Sequence, residues 1–190
     1  MHDGAQSVEL VYDAQAFLAA PHGRCLASEH AVAWYRDDAC SALVMWGHPT
    51  DDDLRCMMAF KQARCQPEAL PHRTLIDLHR VEHVERTHFE RLLAHNQRLN
   101  AGLARSGTVR CAVVRPAGFV GAAIEGFLTI EGAPPTTAPF TTQAAAIDWL
   151  GLPGGAQFQA DLQTLERRAR GTPRAVEELR RAVAAGEVSG

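Results

Sequence analysis

Residues 72–95 read HRTLIDLHRVEHVERTHFERLLAH, a strand-like segment that runs into a helix-like one. The first part, RTLIDL (73–78), is a short apolar run that predicts a strand. Over residues 86–104 the larger apolar side chains recur on one helical face, at Phe89, Leu92, Leu93, Leu99 and Leu103. The stretch therefore predicts a strand followed by a long helix, which is the repeating unit of an α/β fold.

The segment before this stretch predicts a hairpin and a helix. HAVAWYR (30–36) and CSALVMWG (40–47) are rich in strand-forming residues and are separated by an acidic turn, as in a β-hairpin. Thr50, followed by three aspartates, provides an N-cap and an acidic first turn for a helix over 51–65. We interpret the aspartates as capping residues in preference to a metal-binding cluster.

The segment after this stretch continues the alternation of strands and helices. VRCAVVR (109–115) is an unbroken apolar run between charges, which is typical of a central strand buried on both faces. We expect a helix opened by Pro116 and ending near Gly126, and then a weaker strand near 136–140. Thr141 and Thr142 cap a further helix that runs to about residue 150.

The predicted order is therefore β-β-α-β-α-β-α-β-α, an α/β fold whose mixed sheet is largely parallel and carries packed helices. GLPGG (151–155) is rich in helix and strand breakers and predicts a boundary. We expect a regulatory domain over 1–152 and a helical tail over 153–190, with helices at about 156–170 and 173–185. In this interpretation the tail is an appendage to the α/β unit.

Composition limits the classes of function. The net charge of −3 provides no general basic field for nucleic-acid binding. The five cysteines are odd in number and widely spaced, which favours free thiols in a reducing cytoplasm over disulfides or a zinc site. No signal peptide and no apolar run long enough to span a membrane are visible. We therefore expect a cytoplasmic protein without membrane contact.

The order of elements, together with TLIDLHRVEHVERTHFERLL, resembles the STAS (SpoIIAA-like) fold of anti-sigma-factor antagonists. In that family a strand ending in aspartate leads through a short apolar turn to an Asp-Ser-Ser-Gly helix start. Leu75-Ile76-Asp77 resembles the strand end, and Val81 and Val84 resemble the apolar positions of the turn. The matching helix start is Glu85, Arg86, Thr87 and His88.

Over residues 10–185 the chain more narrowly resembles the STAS-like N-terminal domain of certain bacterial AraC-type transcriptional regulators. The segments that carry this resemblance are Gly23-Arg24, ALVMWGHPTDDDLR (42–55), Pro71-His72, LIDLHRVEHV (75–84), VRPAGFVGAAIEGF (114–127), AAAIDWLG (144–151) and RARGTPRAVEELRRAV (168–183). The resemblance implies a non-catalytic domain of signal transduction that acts through ligand, partner or homodimer contacts. It also implies a following DNA-binding domain, so we expect this chain to be a fragment or a stand-alone relative.

The family's switch is phosphorylation of a hydroxyl at the helix start, where the added charge meets the helix dipole and repels a partner kinase. In this chain only Thr87 could accept a phosphate, because Arg86 replaces one serine and His88 replaces the glycine. We favour helix capping as the role of Thr87 over phosphorylation. The sequence therefore predicts a regulatory helix start that has lost most of the switch chemistry.

A stand-alone small-molecule-binding or anti-sigma-antagonist-like protein is the alternative. Loops after parallel strands converge at one sheet edge, so 77–84 and 116–121 would line a crevice there. The candidate crevice residues are Asp77, His79, His83, Pro116, Gly118 and Gly121. The small residues of this helix, Ala117, Gly121, Ala122 and Ala123, are interpreted first as close packing against the sheet and only second as ligand contacts.

Metal and enzyme functions are disfavoured. Five of the nine histidines lie within 72–95, but they do not have the spacing of a zinc motif. We favour the interpretation that they are incidental over the interpretation that they form a partner-facing or pH-sensitive patch. No nucleophile motif is present; Cys25 or Cys111 could pair with a histidine only if the fold brings them together. We expect no cofactor. The basic tail, with Arg167, Arg168, Arg170, Arg174, Arg180 and Arg181, is interpreted as solvated helix faces and not as a DNA contact.

Overall fold

A computed structural model of the chain describes residues 8–36, 40–65, 73–103, 110–131 and 136–171. The strands are β1 (Glu9–Val11), β2 (Arg24–Ala27), β3 (Ala31–Arg36), β4 (Cys40–Gly47), β5 (Arg73–Val81), β6 (Arg110–Val114) and β7 (Thr137–Phe140). The helices are α1 (Ala14–Ala19), α2 (Asp51–Arg64), α3 (Arg86–Leu103), α4 (Gly118–Glu131), α5 (Gln143–Leu150) and α6 (Gly155–Gly171).

All seven strands belong to one sheet, in which the spatial order is the order along the chain, β1 to β7. The β2–β3 and β3–β4 pairs are antiparallel, and the β1–β2, β4–β5, β5–β6 and β6–β7 pairs are parallel. Parallel neighbours need a crossover, and α2, α3 and α4 supply the crossovers from β4 to β7. The fold is therefore α/β with a mixed, mostly parallel sheet.

The sheet separates two hydrophobic layers. Helices α1 to α4 pack on one face, with side chains such as Phe17, Phe60 and Leu92, and we call this the first face. Helices α5 and α6 pack on the other, with side chains such as Leu150 and Phe158, and we call this the second face. Along β6, residues alternate between the two layers, as the pleat of a strand requires. The architecture is three-layered, with helices on both faces of the sheet.

Most predicted elements are present, including the hairpin, the helix over 51–64 and the long helix from 86. The run VRCAVVR is an inner strand, as predicted, because β6 lies between β5 and β7. The predictions missed the N-terminal β1-α1-β2 unit, which adds two strands at the edge of the sheet. These elements have only 3, 6 and 4 residues, too few for a periodic signal.

Two predicted boundaries were wrong. The helix expected from Pro116 begins at Gly118 and continues to Glu131, past the expected end at Gly126. Its start is set by Gly118, whose φ of 75° is accessible to glycine. Strand β5 extends three residues beyond the predicted end, to Val81, and a register irregularity against β4 occurs between Val44 and Trp46. His79 therefore lies in a strand.

Helix α6 corresponds to the first helix that we expected in the tail, but it is part of the domain. Phe158, Leu162 and Leu165 are fully buried in the second layer, and the Phe158 ring stacks on Trp34 of β3 at 5.5 Å between centroids. Since α6 covers one face of the sheet, the boundary expected at residue 153 does not separate it from the core. The hairpin turn 37–38, His72, the helix expected over 173–185 and the arginines 174, 180 and 181 lie outside the described residues.

Candidate functional site

The first face of the sheet holds an apolar cavity of about 80 Å³ beneath α2, α3 and α4. Strands β4, β5 and β6 form its floor, and the three helices form its roof. Side chains that represent these six elements are Met45, Ile76, Val113, Met57, Leu92 and Phe127. We call this space the α2–α4 cavity. Small-molecule sites are usually apolar and concave in this way but several times larger, so this space fits only a molecule of a few heavy atoms.

Two ionisable residues line the α2–α4 cavity among the described residues, and both are bases: Lys61 and His88. Leu54, Met57 and Lys61 line it from one face of α2, since residues three and four apart share a helix face. They extend about 10 Å along the helix axis at 1.5 Å per residue. The lining thus includes Lys61 near the C-terminal end of α2.

Lys61 is the only lysine in the sequence, and it is 8% exposed. Its ammonium Nζ donates a hydrogen bond of 3.0 Å to Oδ1 of Asn96, a fully buried residue on α3. The Nδ2 group of Asn96 has no hydrogen-bond partner among the described residues. The packing of α2 against α3 places it beside the cavity.

His88 joins the cavity to the predicted regulatory helix start. Its side chain is buried and lines the cavity, and its Nε2 lies 3.4 Å from Oδ1 of Asp51 and 4.0 Å from Oε2 of Glu85. Arg91 also pairs with Asp51. The start of α3 is therefore held against the first turn of α2.

The other three residues of the helix start are exposed. Arg86 pairs with Glu90 at 2.7 Å, and the Thr87 hydroxyl donates to Oε2 of Glu85 at 3.3 Å. The capping role expected for Thr87 is wrong, because α3 begins at Arg86 and Thr87 lies inside the first turn. Glu85 occupies the position before the helix. The Thr87 hydroxyl faces solvent beside a carboxylate.

Asp77 and His79 lie on the second face of the sheet. Asp77 is fully buried and accepts hydrogen bonds from His79 Nδ1 at 2.6 Å and from Gln143 Nε2 at 2.8 Å. Gln143 in turn accepts a bond from Gln159 at 2.9 Å, which links β5 to α5 and α6. His79 borders an open polar cleft with Arg80, whose guanidinium pairs with Glu166 of α6. Asp77 is thus a structural acceptor that holds α5 on the sheet.

The remaining predicted crevice residues line neither the cavity nor this cleft. His83 is exposed, and its ring centroid lies 6.0 Å from that of His48. Pro116, Gly118 and Gly121 lie at the start of α4. A Cβ on Gly121 would be 1.9 Å from the Pro116 carbonyl oxygen, so this glycine allows close packing against its own leading loop. We expected Gly121 to allow close packing against the sheet, but its close neighbour is the carbonyl oxygen of Pro116.

Of the segment expected over 77–84, three apolar residues do line the cavity: Leu78, Val81 and Val84. Leu78 alternates with Asp77 and His79, because a strand presents successive side chains to opposite faces. The extra residue of β5 before Arg80 then returns Val81 to the first face, and Val84 follows the end of the strand. The signal that could have found the cavity was the apolar series, not the histidines.

Asp53 has a structural role that its position in an acidic run conceals. It is fully buried, and its carboxylate accepts hydrogen bonds from Ser28 Oγ, His30 N, Thr50 N and Thr50 Oγ1 at 2.7–2.8 Å. Burial alone would raise the pKa of Asp53, but these hydrogen bonds hold the pKa below its ordinary value. Asp53 thus fixes the start of α2 to the β2–β3 turn.

Two fully buried cysteines, Cys25 and Cys56, have thiols that ionise poorly. Burial raises the pKa of Cys25 to about 12 despite the opposing charge of Arg168, so its thiolate is disfavoured as a nucleophile. Burial also raises the pKa of Cys56. Within the described ranges, no group of three or more histidine, cysteine, aspartate or glutamate side chains could hold a metal ion.

The site and fold define a class, an α/β protein with an apolar cavity between its sheet and three crossover helices. Comparison of the chain with protein-family models, curated proteins and solved structures finds no match. In the part of the chain that the structure describes, no helix combines the length and apolar character needed to cross a membrane. The class of the protein is therefore defined by its fold and its cavity, and not by a match to another protein.

Proposed function

We propose that this chain is a non-catalytic sensory domain that binds a small molecule in the α2–α4 cavity. The observation that carries the proposal is the shared position of the cavity and the helix start: Val84, His88 and Phe89 all line the cavity. A ligand that fills the cavity acts on these residues first. Its binding would change the stability or position of the first turns of α3, which a protein partner can read.

The finer proposal is that the domain is STAS-like and belongs to an AraC-type transcriptional regulator. The segment β3 to α5 has the order β-β-α-β-α-β-α-β-α, which supports the resemblance carried by residues 72–95. The signal would pass to the regulator's own DNA-binding domain or to a second copy of the chain. We expect no direct nucleic-acid contact, and the cytoplasmic location expected from the thiols is retained as part of this proposal.

The anti-sigma-antagonist-like alternative is supported by one observation, the exposed Thr87 hydroxyl in the first turn of α3. A phosphate there would gain from the helix dipole and be repelled by Glu85. The sensory proposal places a ligand on the buried side of this turn, whereas the alternative places a phosphate on its exposed side. The two proposals therefore predict different partners for α3.

Binding of xenon, an uncharged apolar atom small enough for the cavity, to the full chain tests the sensory proposal. We expect saturable binding, followed by NMR of the methyl groups that line the cavity, and Val84→Trp should weaken it at least tenfold because the larger ring fills the cavity. Val120→Trp is the matched control, since Val120 is half-buried on α4 but does not line the cavity. Equal binding by both variants would place the xenon elsewhere and contradict the proposal.

Hydrogen exchange provides the second measurement. With xenon bound, amides of the first two turns of α3 should exchange more slowly, whereas amides of α5 on the other side of the sheet should be unchanged. Protection spread evenly over both helices would mean general stabilisation and not a signal directed to α3.

A further inference from the structure

The polar cleft that His79 borders lies on the second face of the sheet and has a volume of about 460 Å³, several times that of the α2–α4 cavity. It is bounded by His79 and Arg80 of β5, by residues 141–144 at the end of β7 and the start of α5, and by Gln159, Gln163 and Glu166 of α6. We call this space the β5–α6 cleft. In sheets with parallel strands, ligands usually bind at the carboxyl ends of the strands, which is where this cleft lies.

His79 brings a ring of defined tautomer to the β5–α6 cleft. Its Nδ1 lies 2.6 Å from Oδ1 of the fully buried Asp77, so Nδ1 carries the proton that a bond to a carboxylate requires. The other carboxylate oxygen accepts a bond from Gln143 at 2.8 Å, so the group that orients the ring is itself fixed. In the neutral ring, Nε2 is therefore an acceptor, and no described residue donates to it.

The charged groups of the β5–α6 cleft are paired with one another. Both oxygens of the Glu166 carboxylate accept hydrogen bonds from the Arg80 guanidinium, a two-point pair that fixes both side chains. Arg170, the second cation on Glu166, lies outside the cleft lining and packs over the Trp46 ring at 4.3 Å. With His79 neutral, the described lining therefore has no unpaired charge to bind an ionic ligand.

Carboxamides and hydroxyls supply the free hydrogen-bonding capacity of the β5–α6 cleft. Gln159 and Gln163 are four residues apart and share one face of α6. Gln159 donates one N–H to Gln143 and keeps its own carbonyl oxygen, while the Gln163 carboxamide makes no hydrogen bond within the described residues. The Thr142 hydroxyl accepts a bond from Ala145 N, which leaves its proton to donate. Such groups both donate and accept, as the hydroxyls of a ligand do.

The lining also disfavours a flat aromatic ligand. No phenylalanine, tyrosine or tryptophan borders the β5–α6 cleft in the part of the chain that the structure describes, so a planar ring would gain little stacking. The acceptor at His79 Nε2 needs a ligand donor, which a carboxylate or a phosphate dianion lacks. A molecule with several hydroxyls and no charge meets both conditions.

We propose that the β5–α6 cleft binds an uncharged polyol, one of whose hydroxyls donates a hydrogen bond to Nε2 of His79. Further hydroxyls bond to the carboxamides of Gln159 and Gln163. No covalent bond forms or breaks. This inference goes beyond the sensory proposal, because it concerns a second site on the other face of the sheet and does not depend on what the α2–α4 cavity holds.

The test compares myo-inositol with cyclohexanol, which has the same carbon ring but one hydroxyl, by NMR titration of the full chain. myo-Inositol should bind at least tenfold more tightly, because cyclohexanol leaves most polar groups of the cleft unpaired. Gln163→Ala should weaken myo-inositol binding about fivefold through the loss of a neutral hydrogen bond. Gln157→Ala is the matched control: Gln157 is an exposed glutamine of the same helix that bonds to Asp161 and does not line the cleft.

The ring nitrogens of His79 provide a readout that a purely structural role would not move. In protein labelled with 15N at histidine, the signals lost in His79→Gln identify this ring. myo-Inositol should shift the Nε2 signal of the neutral ring, because a hydroxyl then donates to it, and should leave Nδ1 protonated and bonded to Asp77. An Nε2 signal that stays unmoved at saturating myo-inositol would overturn the inference.

The remaining outcomes are equally decisive. Equal binding of the two alcohols, or no binding of myo-inositol at millimolar concentrations, would overturn the inference. Binding that Gln163→Ala leaves unchanged would place the polyol elsewhere, and tighter binding of inorganic phosphate would make the cleft an anion site. Xenon binding and its loss in Val84→Trp test the sensory proposal separately, so each proposal can fail without the other.

Discussion

The two faces of the sheet are built from alternate residues of the same strands, yet they differ in packing. On the second face, Phe158, Leu162 and Leu165 of α6 are fully buried, and hydrogen bonds from Gln143 and Gln159 tie the helices to Asp77. On the first face, α2, α3 and α4 leave the α2–α4 cavity over the sheet. The second face is thus closely packed at its centre, with its open cleft at the edge, whereas the first face has an apolar cavity between the helices and the sheet.

The largest expected effect is a difference in the free energy of unfolding between two variants, each of which truncates a phenylalanine on one face of the sheet. Phe158→Ala should lower the free energy of unfolding by about 4 kcal/mol, because it removes a fully buried ring from a packed layer. Phe89→Ala should cost roughly 1–2 kcal/mol, since Phe89 is half-buried and already borders empty space. Urea denaturation measures both.

Equal costs for the two substitutions would mean that the first face is packed as tightly as the second.

The next effect concerns Asp53, which anchors α2 over the first face. Asp53→Asn should cost about 3 kcal/mol at pH 7, because several donors lose a charged acceptor inside the fold. Asp52→Asn is the matched control from the same first turn; its side chain is 32% exposed, so its loss should cost under about 1 kcal/mol. Chemical denaturation of the two variants makes the comparison.

Asp53 also has a definite pH signature. Its folded pKa lies below the ordinary value of 3.8, so its contribution is fully present above that value and is lost as pH falls through the folded pKa. The gap in stability between wild type and Asp53→Asn should therefore narrow below about pH 4. A gap that is constant from pH 7 to pH 2.5 would refute the assignment of the hydrogen-bonded carboxylate.

The smallest effect concerns His95, which lies at the junction of α2 and α3. Burial, together with the charges of Lys61 and Arg98, lowers its pKa from 6.5 in spite of a hydrogen bond with the Met58 backbone. Neutral His95 therefore stabilises the fold above pH 6.5, and this contribution declines as pH falls below 6.5 toward the folded pKa. His95→Gln should reduce the loss of stability between pH 7 and pH 5 by less than about 1 kcal/mol.

Denaturation at the two pH values, with NMR titration of the His95 ring, measures this effect. An unchanged pH dependence in the variant, or a ring that titrates at or above 6.5, would contradict it.

Much of the fold was predictable because its signals are local. The hairpin, α2, β5, α3 and β6 follow from strand-forming runs, a cap and a helical apolar face, each contained within a short window. The role of α6 was not predictable in this way. Its apolar stripe predicts an amphipathic helix, but whether that stripe covers the sheet or an external partner depends on contacts with strands more than a hundred residues earlier, such as Trp34.

The candidate site was predicted less well than the fold. Residues 77–84 were assigned to a crevice, and Leu78, Val81 and Val84 do line the cavity, but the polar candidates Asp77 and His79 face the opposite layer. The sequence also contains no signal that Asp53 is buried or that His88 contacts Asp51. Such facts depend on how helices cross, which single-sequence patterns do not encode.

The sequence by itself determined the class of fold, because alternating strand and helix signals leave a mostly parallel sheet as the consistent arrangement. It also determined that residue 61 is the only lysine. Only the tertiary structure decided where that lysine lies. Helices α2, α3 and α4 must pack against one face before Lys61 and the apolar side chains surround a common space, with Lys61 bonded to Asn96 of α3. The physical reason is that a cavity is a property of several elements at once, whereas the strand and helix signals are properties of each element alone.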